Sequence, residues 1–311
     1  MPKDLLSIAS LTDEELMTLL DNTIQMKEIF TRSVKKVPTL RGRTVLMLFY
    51  ENSTRTSTSF EIAAKRLSAD VTNFDINTSS VKKGESVKET IDTLEAMRCE
   101  YVVVRHPMAG FARNLSDMTG MSVINAGDGR HAHPTQALLD AHTVREALSV
   151  EALHGKRILI AGDVLHSRVA RSTSQIFTRL GAEVAFLGPG SLLPKSSPYQ
   201  HFTRYEDAMA WGPEVVYLLR VQMERQNAPF FPSNSEYHQL FGITNERLKE
   251  VSDKGIYLMH PGPFNRGVEI CDAAVEYERS LINTQVENGV AARMSVLYAL
   301  KPEVASFGTQ Y

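Results

Sequence analysis

Four consecutive residues, Ser53, Thr54, Arg55 and Thr56, combine three hydroxyl groups with a guanidinium. They follow a short apolar run and precede a stretch whose apolar residues recur with helical period. The N-terminus of a helix attracts anions through its backbone N–H groups and dipole, and arginine adds a charge-assisted fork of donors. The pattern therefore indicates a phosphate site. Serine and threonine are also good helix N-caps, so the run alone leaves a capping role equally open.

Other cationic and amide side chains also stand in the segments that follow apolar β-branched runs. They are Lys83, Arg105, His133, Arg168, Arg220 and Gln222. Ligands of parallel α/β sheets bind beyond the carboxyl ends of the strands, so these side chains could converge there. Few carboxylates accompany them and no nucleophile has an adjacent base. The pattern favours a site for two anions, in which each oriented donor to an oxyanion contributes on the order of ~3 kcal/mol.

The pair His131 and His133 could suggest a metal, but no third ligand of suitable type follows nearby. The segment 160–168 occupies the position of a nucleotide-binding loop, yet it contains neither GxGxxG nor GxxxxGK[ST]. We therefore expect no metal and no cofactor.

The elements that must position these residues alternate along the chain. Short apolar runs predict strands at 44–50, 71–76, 101–104, 122–125, 157–160, 183–187, 215–219 and 256–259. Helical patterns separate many of them, and long ones cover 135–148 and 284–300. This alternation predicts an α/β protein of two domains, each a parallel sheet flanked by helices, with helices linking the domains. The irregular stretches 188–198 and 221–235 are candidate lids.

The composition excludes several classes of protein. The 311 residues carry a net charge of only −2, which gives no general attraction to nucleic acid or an anionic membrane. No apolar run approaches the ~20 residues of a membrane span, and residues 1–7 lack the pattern of a signal peptide. The two cysteines, Cys99 and Cys271, are far apart, which suits a reducing compartment. We expect a soluble cytoplasmic protein.

In order along the chain, the motifs resemble those of the aspartate/ornithine carbamoyltransferase family, and most closely its aspartate branch. The matching segments are 49–56 with 59–61, 79–84, 105–107, 133–136, Arg168, 220–222 and 260–263. The resemblance spans nearly the whole chain. It implies transfer of the carbamoyl group of carbamoyl phosphate to aspartate, a step of pyrimidine biosynthesis.

The resemblance also implies a role for each matching residue. Ser53, Thr54, Arg55 and Thr56 would hold the phosphate, and Ser79 and Lys83 would also bind carbamoyl phosphate. Arg105, His133 and Thr56 would polarise the carbamoyl carbonyl, and Gln136 would bind the carbamoyl amino group. Aspartate would be bound by the residues Lys83, Arg168, Arg220, Gln222, Pro261 and Gly262. The implied catalytic set is Arg55, Thr56, Lys83, Arg105 and His133.

The family further implies a homotrimer in which Ser79 and Lys83 reach into the site of a neighbouring subunit. Its carbamoyl phosphate-binding domain would comprise 1–134 plus 285–311, and its aspartate-binding domain 135–284. Association with regulatory chains or a dihydroorotase stays open. Many relatives have a basic residue where Ser57 stands, which leaves Arg55 as the cation of that loop.

Three alternatives compete with this interpretation. An ornithine-type enzyme would share the phosphate loop, but it typically shows Cys-Leu-Pro where 260–262 reads His-Pro-Gly, and a Ser-Met-Gly loop that is absent here. A two-domain solute-binding module usually requires export. A nicotinamide dehydrogenase is opposed by the missing glycine fingerprint.

Overall fold

The computed structural model describes residues 1–74, 86–221 and 233–303. These residues form two compact units, one comprising Met1–Leu139 with Asn288–Tyr311 and the other Asp140–Glu287. Each unit contains one parallel sheet with helices in its strand connections, so the predicted α/β class is confirmed. None of the helices in the described ranges has the length and hydropathy of a bilayer-spanning helix.

The first unit is built on four parallel strands in the order β2-β1-β3-β4. They are β1 (Thr44–Phe49), β2 (Asp70–Phe74), β3 (Tyr101–His106) and β4 (Ser122–Asp128). The helices are α1 (Asp13–Glu28), α2 (Thr54–Arg66), α3 (Val87–Ala96), α4 (Phe111–Ser116), and the first residues of α5 (Pro134–Leu148). Leu46, Leu48, Val102 and Val104 lie in its core. Each such side chain, fully buried, contributes about 1.5–3 kcal/mol to folding.

The second unit is built on five parallel strands in the order β7-β6-β5-β8-β9. They are β5 (Arg157–Ala161), β6 (Glu183–Leu187), β7 (Gln200–Phe202), β8 (Val215–Leu218) and β9 (Tyr257–Met259). The helices are α6 (Arg168–Arg179), α7 (Tyr205–Ala210), α8 (Asn234–Phe241), α9 (Asn245–Asp253) and α10 (Asp272–Val275), with the later residues of α5 and the first residues of α11 (Ile282–Ala299). The remaining residues of α11 belong to the first unit. The boundaries between the units fall inside α5 and inside α11.

Serine and threonine caps set where several helices begin. Thr12 and Ser86 form complete capping boxes with Glu15 and Glu89. The side chains of Ser167, Ser233 and Thr244 each accept one backbone N–H and so cap α6, α8 and α9 without a reciprocal bond. Each such cap stabilises its helix by about 1 kcal/mol.

Of the two segments predicted as candidate lids, the structure describes only one in full. The segment 188–198, a candidate lid, is anchored because Leu192 is fully buried and Leu193 is 5% exposed. Gly188 N–H also donates to the Phe202 carbonyl at 3.2 Å. The other candidate lid, 221–235, falls mostly outside the described residues.

Candidate active site

The run 53–56 lies at the junction between β1 and α2, with Ser53 at the N-cap position. The Ser53 side chain makes no capping hydrogen bond, in contrast to the five capped helices of the described chain. Arg55 is exposed on the first turn, whereas Thr56 is 8% exposed. Ser57 turns its hydroxyl to the helix backbone and donates to the Ser53 carbonyl at 2.8 Å. This helix N-terminus thus carries the geometry of an anion site.

Arg105 lies beside this junction, because β1 and β3 are adjacent and Phe49 pairs with Arg105 in their register. The Tyr50 N–H donates to the Arg105 carbonyl at 2.8 Å. The Arg105 Nε donates to Glu51 Oε2 at 3.2 Å, and both side chains are largely buried. The predicted convergence of Arg105 with the 53–56 run at one sheet edge is therefore present, and Glu51 holds the guanidinium there.

His133 and Gln136 are placed by a buried carboxylate that sequence inspection did not single out. Asp128, at the end of β4, is 2% exposed. It accepts from the Gly110 N–H at 2.7 Å and from the Ala132 N–H at 3.0 Å. These bonds fold the loop so that α5 begins at Pro134, with His133 at 4% and Gln136 at 8% exposure. In the sequence, the signal for this role was an aspartate between two glycines, just beyond the strand predicted at 122–125.

The two histidines of this loop have different environments. His131 is half-exposed and its Nδ1 lies 3.0 Å from Asp128 Oδ2, whereas His133 is buried. Within the described ranges, no three histidine, cysteine, aspartate or glutamate side chains cluster as a metal site would. The loop geometry is explained by hydrogen bonds to Asp128.

His106, next to Arg105, is packed between aromatic rings. Its imidazole stacks on Phe111 with ring centroids 3.8 Å apart, and Tyr50 meets it edge-on at 4.5 Å. Burial lowers the pKa of His106 from its ordinary value, and this outweighs the opposite effect of the Glu51 and Asp128 charges. His106 Nδ1 accepts from the Met108 N–H at 2.9 Å, which also suits a neutral ring.

This shift predicts a pH dependence of stability. A histidine whose pKa is lowered by folding stabilises the native state above its ordinary value of about 6.5. That contribution is lost as the pH falls through this value towards the folded pKa, because the unfolded chain binds the proton first. We expect the melting temperature of the wild type to fall more steeply between about pH 7 and pH 5 than that of His106→Gln. If the melting temperatures of the two proteins fell equally with pH, the lowered pKa of His106 would be contradicted.

In the second unit, Arg168, Arg220 and the 261–262 pair follow three adjacent strands. Arg168 is the first residue of α6 and is 7% exposed, and its helix is capped by Ser167. Arg220 is half-buried, two residues after the end of β8. Because the order of these strands is β5-β8-β9, their carboxyl ends lie side by side. The two arginines and the 260–263 loop therefore share one edge of this sheet.

The 260–263 loop is fixed by the buried side chain of His260. Its Nδ1 accepts from the Gly262 N–H at 2.8 Å, and its Nε2 lies 3.3 Å from Glu269 Oε1. Glu269 Oε1 also accepts from the Asn265 N–H at 2.7 Å. Gly262 has φ of +61°, a conformation that glycine adopts without strain. Ser79, Lys83 and Gln222, three of the sequence-predicted site residues, lie outside the described residues.

The chain matches two family models that together cover most of its length. Residues 3–146 match "Aspartate/ornithine carbamoyltransferase, carbamoyl-P binding domain", and residues 154–300 match "Aspartate/ornithine carbamoyltransferase, Asp/Orn binding domain". The chain belongs to the aspartate/ornithine carbamoyltransferase family. The resemblance inferred from the motifs is thereby confirmed.

Individual carbamoyltransferases of this family are similar over nearly the whole chain. A protein of Akkermansia muciniphila named aspartate carbamoyltransferase catalytic subunit is 63% identical over 303 residues, with 97% of each chain covered. The aspartate transcarbamoylase of Trypanosoma cruzi, solved with carbamoyl phosphate and aspartate, superposes with a TM-score of 0.83 at 26% identity, covering 96% of each chain. The catalytic subunit of M. Jannaschii aspartate transcarbamoylase gives 0.83 at 32%, covering 96% and 97%.

Proposed function

We propose that this protein transfers the carbamoyl group of carbamoyl phosphate to the amine of L-aspartate, giving N-carbamoyl-L-aspartate and phosphate. The observation that carries the proposal is the N-terminus of α2, where a threonine- and arginine-bearing first turn has no capping side chain and adjoins Arg105. The relatives named as aspartate carbamoyltransferases support the same assignment. The product is a pyrimidine precursor, and both cysteines are free and buried, which suits a cytoplasmic enzyme.

The residues Met1–Leu139 provide the groups for carbamoyl phosphate. The backbone N–H groups of the first turn of α2, the hydroxyls of Ser53 and Thr54 and the guanidinium of Arg55 bind the phosphate. Thr56, Arg105 and His133 donate to the carbamoyl oxygen. The negative charge that develops on this oxygen during attack is thereby stabilised, on the order of ~3 kcal/mol for each well-placed donor. Gln136 accepts from the carbamoyl amino group.

The residues Asp140–Glu287 provide most of the groups for aspartate. Arg168 and Arg220 each present a planar fork that matches a carboxylate, and two such forks suit a dicarboxylic amino acid. Backbone groups at Pro261 and Gly262 complete the binding of the amino acid. We assign Gln222 to the same substrate, Lys83 to both substrates and Ser79 to carbamoyl phosphate, although these three residues lie outside the described ranges.

The chemical step needs positioned donors and no covalent intermediate with the protein. The uncharged amine of aspartate attacks the carbamoyl carbon, and the C–N bond forms as the carbonyl oxygen takes up negative charge. The tetrahedral intermediate then collapses, the C–O bond to phosphate breaks, and phosphate leaves with the bonding pair. The amine loses one proton, which the departing phosphate accepts. Arg55, Thr56, Lys83, Arg105 and His133 form the catalytic set in this scheme.

Incubation with carbamoyl phosphate and a panel of amino acids tests the function. Release of phosphate and formation of a carbamoylated product are followed together, with ornithine included as the substrate of the rival branch. Only aspartate is expected to give both signals. Carbamoylation of ornithine instead of aspartate would overturn the proposal. Ornithine has a single carboxylate, so the match of two arginines to two carboxylates would then be wrong.

We also propose that the active unit is a homotrimer, with Lys83 of one subunit acting at the Arg55-containing site of its neighbour. Lys83→Ala and Arg55→Ala proteins are each expected to be inactive. In a mixed trimer, the intact Arg55 of a Lys83→Ala subunit can meet the intact Lys83 of an Arg55→Ala neighbour. Some sites are then complete, so mixing should restore partial activity. Mixed trimers that form, as shown by native mass spectrometry, and stay inactive would refute the shared site. Native mass spectrometry after addition of regulatory chains or a dihydroorotase would also show whether either binds the trimer.

A further inference from the structure

Asp140, on α5, is a fully buried carboxylate that the proposed chemistry does not use. A buried charge of this kind is costly unless hydrogen bonds satisfy it. Its Oδ2 accepts from the Tyr217 hydroxyl at 2.7 Å and its Oδ1 accepts from Gln285 Nε2 at 2.7 Å. Thr173 Oγ1 approaches Oδ2 at a longer 3.4 Å. Asp140 thus collects side-chain donors from β8, α11 and α6.

Gln285 continues this network to the 260–263 loop. Its Oε1 accepts from the His260 backbone N–H at 2.9 Å, and the side chain is 3% exposed. Only one orientation of the amide works, because Nε2 must donate to a carboxylate while Oε1 must accept from an N–H. The charge of Asp140 therefore fixes the amide, and the amide fixes the backbone at the end of β9.

The donors to Asp140 lie on the elements that carry the aspartate-binding candidates. Thr173 is five residues after Arg168 on α6, and Tyr217 is three residues before Arg220 at the end of β8. Gln285 reaches the residue that precedes Pro261. One buried carboxylate consequently contacts α6 and β8 directly, and the backbone at the end of β9 through one amide.

We propose that Asp140 and Gln285 are positioning residues for aspartate, holding the His260–Gly262 backbone in register with Arg168 and Arg220. The inference rests on the proposed function and adds to it residues that touch neither substrate. Misplacement of a binding group by about 1 Å can cost on the order of 10²-fold in rate. Loss of the network should therefore weaken binding of aspartate, while carbamoyl phosphate, held by residues of the first unit, should bind unchanged.

The direct test is Gln285→Leu, which removes the acceptor of the His260 N–H and one donor to Asp140. We expect the KM for aspartate to rise by roughly 10- to 100-fold, in line with the misplacement effect. The affinity for carbamoyl phosphate, measured by calorimetry, should stay within about twofold because its residues are untouched. Thr244→Ala is the matched control. It removes the cap of α9 and so destabilises the same unit without touching the network.

A second variant, Gln285→Glu, keeps the shape of the side chain. Its readout is the pH dependence of ligand affinity, which a purely structural role of Gln285 would not change. The introduced carboxyl group would face Asp140 across a 2.7 Å contact, and two such groups cannot both be ionised there. Protonation restores the missing donor. The affinity for succinate, an unreactive dicarboxylate, should therefore recover relative to wild type as the pH falls from about 8 to about 6.

The outcomes separate this inference from the function itself. An unchanged aspartate KM in folded Gln285→Leu, or equal rises in Gln285→Leu and Thr244→Ala, would overturn the positioning role. If Gln285→Leu does not fold, the test is the succinate affinity of Gln285→Glu relative to that of the wild type. A ratio of these affinities that does not change with pH would overturn the positioning role. Failure of the wild type to carbamoylate aspartate would refute the proposed function, and this is seen before any variant is made.

Discussion

Replacement of Arg55 by alanine is expected to abolish turnover mainly by removing the affinity for carbamoyl phosphate. The exposed guanidinium stands on the first turn of α2, where the helix dipole already favours an anion. Hydrogen bonds to charged groups contribute about 1.5–3 kcal/mol each, so loss of a two-pronged contact should lower kcat/KM by roughly 10³-fold. Calorimetry with carbamoyl phosphate measures the binding loss, and the initial rate with saturating aspartate measures the effect on turnover.

Lys65→Ala is the control for this experiment. Lys65 lies on the last turn of the same helix, is exposed and pairs with Glu61 at 2.6 Å. Its removal changes the charge of α2 by the same amount, and an exposed pair of this kind contributes little to stability. Affinity for carbamoyl phosphate should remain close to wild type. Near-normal affinity in Arg55→Ala as well would refute the assignment of the phosphate to this helix.

Replacement of Arg220 by alanine should act on the other substrate. The half-buried guanidinium follows β8 at the sheet edge that it shares with Arg168 and the 260–263 loop. Loss of a two-pronged contact to a carboxylate should raise the KM for aspartate by roughly 10²- to 10³-fold, from about 1.5–3 kcal/mol for each hydrogen bond to a charged group. Arg220→Lys keeps the charge but lacks the planar fork of donors, so its KM for aspartate should lie between those of the wild type and Arg220→Ala. Steady-state kinetics at saturating carbamoyl phosphate give the comparison.

The matched control is Arg204→Ala, which removes an exposed arginine of the same unit. Its Nε lies 3.8 Å from Glu206 in a pair whose side chains are 70% and 65% exposed, and such pairs contribute little. The KM for aspartate should not change in this variant. If Arg220→Ala instead weakened carbamoyl phosphate and left aspartate unaffected, the division of the two substrates between the two sets of residues would be wrong.

Much of the fold could be predicted because buried parallel strands are continuous apolar runs. The strand predicted at 183–187 has the same bounds as β6, and the helix predicted at 135–148 differs from α5 by one residue. The strand at 122–125 continues to Asp128 in the structure. Its polar end was not recognisable, because Asn125 and Asp128 are satisfied by hydrogen bonds that depend on distant backbone. The short edge strand β7 was missed for lack of an apolar pattern.

The candidate site was predictable to the extent that strand ends carry unusual side chains. The 53–56 run, Arg105, Arg168 and Arg220 all stand where the sequence placed them, after or at the end of a strand. The residues that orient them were not predicted. Glu51, Asp128 and Gln285 act through contacts whose partners are 54, 18 and 145 residues away in the chain. A charged residue within the apolar pattern of α5, as Asp140 is, was a signal that could have been used.

By itself, the sequence determined the α/β class, the positions of most strands and the set of candidate anion-binding side chains that follow them. These depend on local periodicity and on residue type, which a linear pattern records. Only the tertiary structure decided that the Ser53 side chain leaves α2 uncapped, that Glu51 holds Arg105, and that Asp140 meets Gln285. Such contacts depend on the register of adjacent strands and on the burial of specific polar groups. Both arise from packing between segments that are distant in the chain.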